Sequence, residues 1–160
     1  MDFLFTPWRR QYVVEGARET GCVFCRLAEQ PDDQLLAGEH WYLALNAYPY
    51  CSGGVMLISR THKSWLGELP AAALAELTPL LARVEAALRR AYRPEGMNLG
   101  INFGVAGGAG IPGHLHVHLL PRWGGDTNFM TTVGGLRIVP EDPAESFARL
   151  AAALAADATA

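Results

Sequence analysis

Three of the five histidines in the chain fall on alternate positions, His114, His116 and His118, in the stretch HLHVHLL. Imidazole is the side chain that changes charge closest to neutral pH, so it can act as nucleophile, proton carrier or metal ligand. On an extended strand, positions two apart lie about 6.6 Å from each other and positions four apart about 13 Å. Two such imidazoles can share a metal, but a third reaches it only under strain. The spacing therefore predicts a division of labour, with one ring held as a ligand while the next is free to react. A solvated strand face would also place polar residues at alternate positions. Three histidines in register, directly after Gly104–Gly113 with its five glycines in ten residues, favour chemistry instead. Glycine-rich backbone can turn several N–H groups toward an anion.

The second chemically suggestive pair is Cys22-Val-Phe-Cys25. A C-x-x-C pair is read either as a redox couple or as half of a zinc site, and zinc takes four ligands. Cys51, the one other cysteine, is expected to be a plain reduced thiol.

The elements that must position these residues follow from periodicity and turn signals. Arg26 to Gln30 predicts a short helix stopped by Pro31, followed by a strand around Leu35-Leu36. Trp41 to Leu45 and Val55 to Ser59 predict two strands. Between Ala71 and Tyr92, the residues Leu74, Leu77, Leu81, Val84 and Leu88 recur at helical spacing, with a kink or break expected at Pro79. Met97 to Phe103 predicts another strand, and His114 to Leu120 a half-buried one closed by Pro121. Asp142-Pro143-Ala144-Glu145 has the cap, first-turn proline and acidic residue that start a last helix.

Length and composition frame this reading. A chain of 160 residues that is 50% hydrophobic can bury one core, and a net charge of −3 without basic blocks offers no footprint for nucleic acid or anionic lipid. The first residues lack a secretory h-region, no apolar run reaches spanning length, and three cysteines do not make a secreted disulfide framework. The expectation is one cytoplasmic domain over residues 1–160. It would carry an N-terminal arm over 1–20 and a C-terminal helix and tail over 143–160.

His114-Leu-His116-Val-His118-Leu-Leu, together with Trp8-Arg9, the cysteine pair, Leu45-Asn46-Ala-Tyr-Pro-Tyr, Met97-Asn-Leu-Gly-Ile-Asn102 and Pro121-Arg-Trp-Gly-Gly-Asp-Thr-Asn-Phe-Met130, resembles the histidine-triad (HIT) nucleotide hydrolases and transferases. The resemblance runs over about residues 5 to 140 and is nearer to the bacterial diadenosine tetraphosphate (Ap4A) hydrolase or phosphorylase-like branch. It implies an α+β fold with an antiparallel sheet of about five strands, one long helix and a C-terminal helix, in a homodimer.

It further implies cleavage of a nucleotide or dinucleoside polyphosphate at the α-phosphate. His116 would be the nucleophile and would carry a covalent nucleotidyl group, and His118 would attend the phosphate. Asn46, Asn102 and Gly110 would bind substrate. Cys22, Cys25, His62 and His114 would hold a structural Zn2+, with His40 the rival third ligand. The related chemistries are hydrolysis of an AMP phosphoramidate or other adenylated group, and a zinc-stabilised nucleotide-binding module without turnover. The chain departs from the family at Cys51-Ser-Gly-Gly54, where a supporting histidine is usual, and at Gly110-Ile-Pro-Gly113, which offers only backbone groups.

Overall fold

The computed structural model describes residues 21–47, 49, 51–126 and 141–157. The expected N-terminal arm over 1–20, Trp8-Arg9, Tyr48, Tyr50 and the Thr127–Met130 segment lie outside the described residues. A short helix α1 (Val23–Ala28) is followed by strands β1 (Leu36–Ala37), β2 (Trp41–Leu45) and β3 (Val55–Ser59), and then by a long helix α2 (Ala71–Tyr92). Strands β4 (Gly96–Gly100) and β5 (His116–Arg122) and helix α3 (Pro143–Asp157) complete the described strands and α-helices, with single 3-10 turns at Pro31–Asp33 and Leu66–Glu68. The five strands form one antiparallel sheet in the order β1-β2-β3-β5-β4, which is the α+β arrangement expected.

The sheet is buried on both faces by different partners. Trp41, Leu43, Val55, Leu57, Val117 and Leu119 face α2 and α3, which contribute Val84, Ala87, Leu88, Leu150 and Leu154. Tyr42, Ala44, Met56 and Ile58 point to the other face, where Phe24 of α1 covers them. At about 25 cal/mol per Å2 of apolar surface, the two-helix layer supplies most of the driving force for folding. The small α1 layer leaves the rest of its face available.

Several details differ from the sequence expectation. Helix α2 runs through Pro79 without a break, because Pro79 and Ala75 are both exposed and water can reach the Ala75 carbonyl that loses its partner. Its stripe begins at buried Ala73, whose carbonyl accepts the Trp41 indole N–H at 2.8 Å, while Leu74 is 39% exposed. Strand β4 stops at Gly100 instead of Phe103.

Strand β5 does not close at Pro121 but continues to Arg122. Along a strand, successive backbone groups point to opposite neighbours. The Arg122 carbonyl accepts from Glu95, on the β4 side, so the nitrogen of Pro121 faces the β3 side. There β3 has already ended, with Val55 opposite Leu119, and a residue without an N–H is tolerated. At its other end β5 starts at His116, leaving His114 in the turn that leads from the glycine-rich segment.

Helix α3 starts where expected, with the Asp142 carboxylate accepting from the Ala144 N–H at 2.8 Å. Glu141 just before it accepts from the Tyr92 hydroxyl at 2.7 Å, the Ser146 hydroxyl at 2.7 Å and Arg149 at 2.9 Å, pinning α3 to the end of α2. Among the described residues no helix is long and apolar enough to cross a membrane.

Candidate functional site

The antiparallel register sets the site out in rows across the sheet. Tyr42, Ile58 and His116 form one row, and Ala44, Met56, His118 and Gly100 the next, all on the face that α1 only partly covers. The His116 and His118 rings are neighbours, with centroids 5.0 Å apart. Gly100, opposite His118 on β4, leaves that side of the ring without a side chain, while Met56 flanks it on the β3 side.

His116 is 5% exposed, and its Nδ1 lies 2.8 Å from the His114 carbonyl oxygen. A carbonyl can only accept, so Nδ1 carries the proton and the lone pair is left on Nε2. Burial lowers the pKa of His116, and the His114 carbonyl offsets part of that. Burial lowers that of His118 too, reinforced by repulsion from His116. Both imidazoles are therefore neutral at pH 7, the state a nucleophile or hydrogen-bond partner needs.

His114 is built for a different task. Its Nε2 sits 2.6 Å from the Ser59 carbonyl and must donate there, so the Nδ1 lone pair faces the opposite way, toward the cysteines. That Nδ1 is 3.3 Å from Cys22 Sγ and 3.6 Å from Cys25 Sγ, and His62 Nδ1 is 3.3 Å from Cys25 Sγ. The four donor atoms of Cys22, Cys25, His62 and His114 all lie within 4.8 Å of one another. A tetrahedral zinc bound by sulfur and nitrogen needs donor separations of roughly 3.3–3.8 Å, so the group fits. His40 is outside it; its ring approaches Glu39 at 3.8 Å, and its N–H donates to Glu76 at 2.8 Å.

Helix α1 carries the cysteines and is held from the side of the sheet. The Tyr42 hydroxyl donates to the Phe24 carbonyl at 2.6 Å, and the Gln34 amide donates to the Leu27 and Ala28 carbonyls at 2.9 and 3.1 Å. Arg60 donates to Gln34 at 3.1 Å and to the Gly38 carbonyl at 2.9 Å, with its guanidinium 5.4 Å above the Tyr42 ring. The last carbonyls of α1 are thus satisfied and the cysteine spacing is set by protein contacts.

The remaining candidate residues are dispersed around the His116 and His118 rows. Asn46 follows β2 on the same face as Ala44, and its backbone N–H donates to Gly54 at 3.2 Å. Two inter-strand steps separate β2 from β5, so Asn46 stands about 10 Å from the histidine strand, the reach of a nucleoside. The Asn102 amide donates to the Gly108 carbonyl at 3.5 Å and braces the glycine-rich loop. Gly110 is exposed, and a Cβ there would meet nothing within 4 Å. At Gly54, where the family usually has histidine, a Cβ would lie 3.3 Å from Leu120, on the face of the imidazoles.

Sequence reasoning did not single out Phe24, Tyr42 or Arg122. Arg122 pairs with Asp126 at 2.6 and 2.8 Å and donates to Asn98 at 2.7 Å, tying β4 to the turn after β5. The place of Phe24 inside the C-x-x-C pair was the available signal for that residue.

Alternating histidines on a central strand, with a second site at its start, define a histidine-triad protein, and residues 28–125 match the HIT domain. The chain belongs to the HIT family. It is 33% identical over 149 residues to an AP-4-A phosphorylase of Mycobacterium tuberculosis H37Rv, covering 86% of this chain and 76% of that protein. An adenosine 5′-monophosphoramidase of Saccharomyces cerevisiae is 26% identical over 106 residues, covering 65% of this chain and 64% of the yeast protein. Among solved structures, a Zn-bound histidine triad family protein from Mycobacterium smegmatis superposes with a TM-score of 0.71 at 29% identity. That match covers 87% of this chain and 96% of the other.

Proposed function

We propose that this chain cleaves a dinucleoside polyphosphate of the Ap4A type at an α-phosphate, through a covalent intermediate on His116. The chain is a HIT-type nucleotidyl hydrolase or transferase, and the likeness to the mycobacterial phosphorylase supports the dinucleotide as substrate. The observation that carries the mechanism is the Nδ1 contact of His116 with the His114 carbonyl, because it places the proton on Nδ1 and leaves the neutral lone pair on Nε2.

In the first step the Nε2 lone pair forms a bond to the α-phosphorus, and the bond from phosphorus to the bridging oxygen breaks. The electron pair leaves on the nucleoside polyphosphate, and His118 donates a hydrogen bond to that oxygen. In the second step an oxygen of water or inorganic phosphate attacks phosphorus and the P–N bond breaks, returning the lone pair to Nε2, with a water nucleophile releasing its proton to solvent. Backbone N–H groups of the glycine-rich segment, at Gly110 in particular, hold the non-bridging oxygens, Asn102 braces that segment, and Asn46 meets the sugar.

Cys22, Cys25, His62 and His114 would hold Zn2+, which when bound supplies a structural cross-link between α1 and the start of β5. A pair of free thiols in that site favours a reducing, cytoplasmic setting. The open edge strand β4, with Leu99 59% exposed and Val105 77% exposed nearby, suits a homodimer. We assign residues 1–160 to one HIT domain, with no role for nucleic acid or membrane.

A second reading, hydrolysis of an AMP phosphoramidate or other adenylated group, is favoured by the likeness to the yeast phosphoramidase. The segment Gly110-Ile-Pro-Gly113, without polar side chains, favours a third, nucleotide binding without turnover. Incubation of the protein with diadenosine tetraphosphate, with and without phosphate, and in parallel with adenosine 5′-phosphoramidate, separates all three. ADP plus ATP formed only with phosphate identifies a phosphorylase, and AMP plus ATP formed from water a hydrolase. AMP released from the phosphoramidate alone supports the second reading, and tight binding with no product from either substrate would overturn the enzymatic reading.

A further inference from the structure

Phe24 lies between the two cysteines and is 5% exposed. Its carbonyl is fixed by the fully buried Tyr42 hydroxyl, and its neighbours Cys22 and Cys25 belong to the metal cluster. Its ring meets the edge of the His114 ring at 5.5 Å and 80°, and lies tilted against the His116 ring at 4.9 Å and 57°. Interiors packed at this density do not absorb a displacement, so a shift of α1 must be passed on to whatever the Phe24 ring touches.

From this arrangement we propose that Phe24 is a positioning residue that transmits the state of the Cys22, Cys25, His62 and His114 cluster to the His116 imidazole. The inference rests on His116 being the nucleophile, as read above. Two contacts divide the work. The His114 carbonyl decides which nitrogen of His116 carries the lone pair, but one hydrogen bond does not fix the plane of the ring. The Phe24 ring packs against the imidazole and supplies that second constraint. In-line attack depends on where the lone pair points, and a misplacement of about 1 Å can cost on the order of 100-fold in rate.

The test compares the full-length protein with Phe24→Leu, each with bound zinc and after chelation. The readouts are zinc content, imidazole 15N chemical shifts, and kcat and KM for diadenosine tetraphosphate. Phe24→Leu is expected to keep its zinc and its KM, to lose kcat on the order of 10-fold, and to shift the His116 ring resonances. Chelation should produce the same His116 shift in the parent protein and little further change in Phe24→Leu, and Phe24→Tyr should restore the parent signature. Unchanged His116 resonances in Phe24→Leu, or an undiminished response of that variant to chelation, would overturn the proposal. The resonances are read without turnover, so a protein inactive on every nucleotide would sink the functional reading and leave this test standing. If Phe24→Leu does not fold, Tyr42→Phe removes only the hydroxyl that holds the Phe24 carbonyl. It is expected to move the same resonances in the same direction, and no movement would count against the proposal.

Discussion

The two faces of the histidine strand both carry buried side chains and do opposite things. Leu115, Val117 and Leu119 are 2–3% exposed against the two long helices, and His114 and His116 are 1% and 5% exposed on the other side. On the aliphatic face burial is favourable in itself, and any apolar side chain of similar volume and shape would serve. On the imidazole face burial carries a desolvation cost that must be offset by hydrogen bonds, and those bonds fix the tautomers: His114 donates to Ser59, and His116 donates to the His114 carbonyl. The contrast teaches that the helical face makes the platform rigid, and that the polar face turns the same rigidity into oriented lone pairs.

The sharpest way to break this contrast is to remove one group from the imidazole face. His116→Asn keeps a buried polar side chain without the nucleophile, and turnover of diadenosine tetraphosphate is expected to fall on the order of 10⁴-fold or more. A steady-state assay checks this, and a variant within tenfold of the parent would exclude His116 as nucleophile. Next in size is loss of the metal group. Cys25→Ser, or prolonged chelation, should lower the melting temperature by about 10 °C, because a metal held by the folded state alone is lost as stabilisation. A calorimetric scan with and without added zinc measures it; chelation that abolished catalysis at once with no loss of stability would contradict a structural role. On the aliphatic face, Val117→Ala should cost about 2 kcal/mol of stability by leaving a cavity between the sheet and α2. Its kcat should stay within about twofold, so denaturant unfolding and kinetics on one variant would show whether the faces are separable.

How much of this was legible in the sequence follows from how local each signal is. The strands at Trp41–Leu45 and Val55–Ser59, the cap at Asp142 and the strand that carries His116 and His118 depend on residues a few positions apart, and the structure has them where periodicity put them, except that His114 lies in the turn before that strand. The strand limits at Pro121 and Gly100 depend on which neighbour has already ended, and that is a property of the sheet. The continuous helix through Pro79 depends on an exposed carbonyl. The stripe beginning at Ala73 instead of Leu74 is set by a hydrogen bond from Trp41, more than thirty residues away. Cys22, Cys25, His62 and His114 are drawn together across 92 positions. Spacing could offer only half of that cluster, and the family resemblance supplied the rest. Phe24 was not singled out because a phenylalanine beside apolar residues reads as core, and only its contact with two imidazoles distinguishes it.

The smallest expected effect concerns the corner that closes the helical face. Burial pushes the Glu141 carboxyl up, but the donors Ser146, Tyr92 and Arg149 outweigh it and hold it below the usual carboxylate range. A carboxyl depressed in the folded state contributes stability that is complete above the unfolded value of about 4.3 and is lost as pH falls through the folded value. Acidification should therefore loosen α3 from α2 before it reaches the sheet, since the start of α3 is tied to the end of α2 by this carboxylate and its donors, with the Arg90 donation to the Ala153 carbonyl at 3.2 Å the further tie along the helix. Glu141→Gln keeps the shape but removes the charge, so its stability should be lower at neutral pH and should change less between neutral and acid pH than that of the parent. Hydrogen exchange of the α3 amides at pH 7 and pH 4 reads this directly. An equal acid response in both proteins would mean that the helical face is closed by packing alone, and the contrast between the two faces of the strand would then be sharper still.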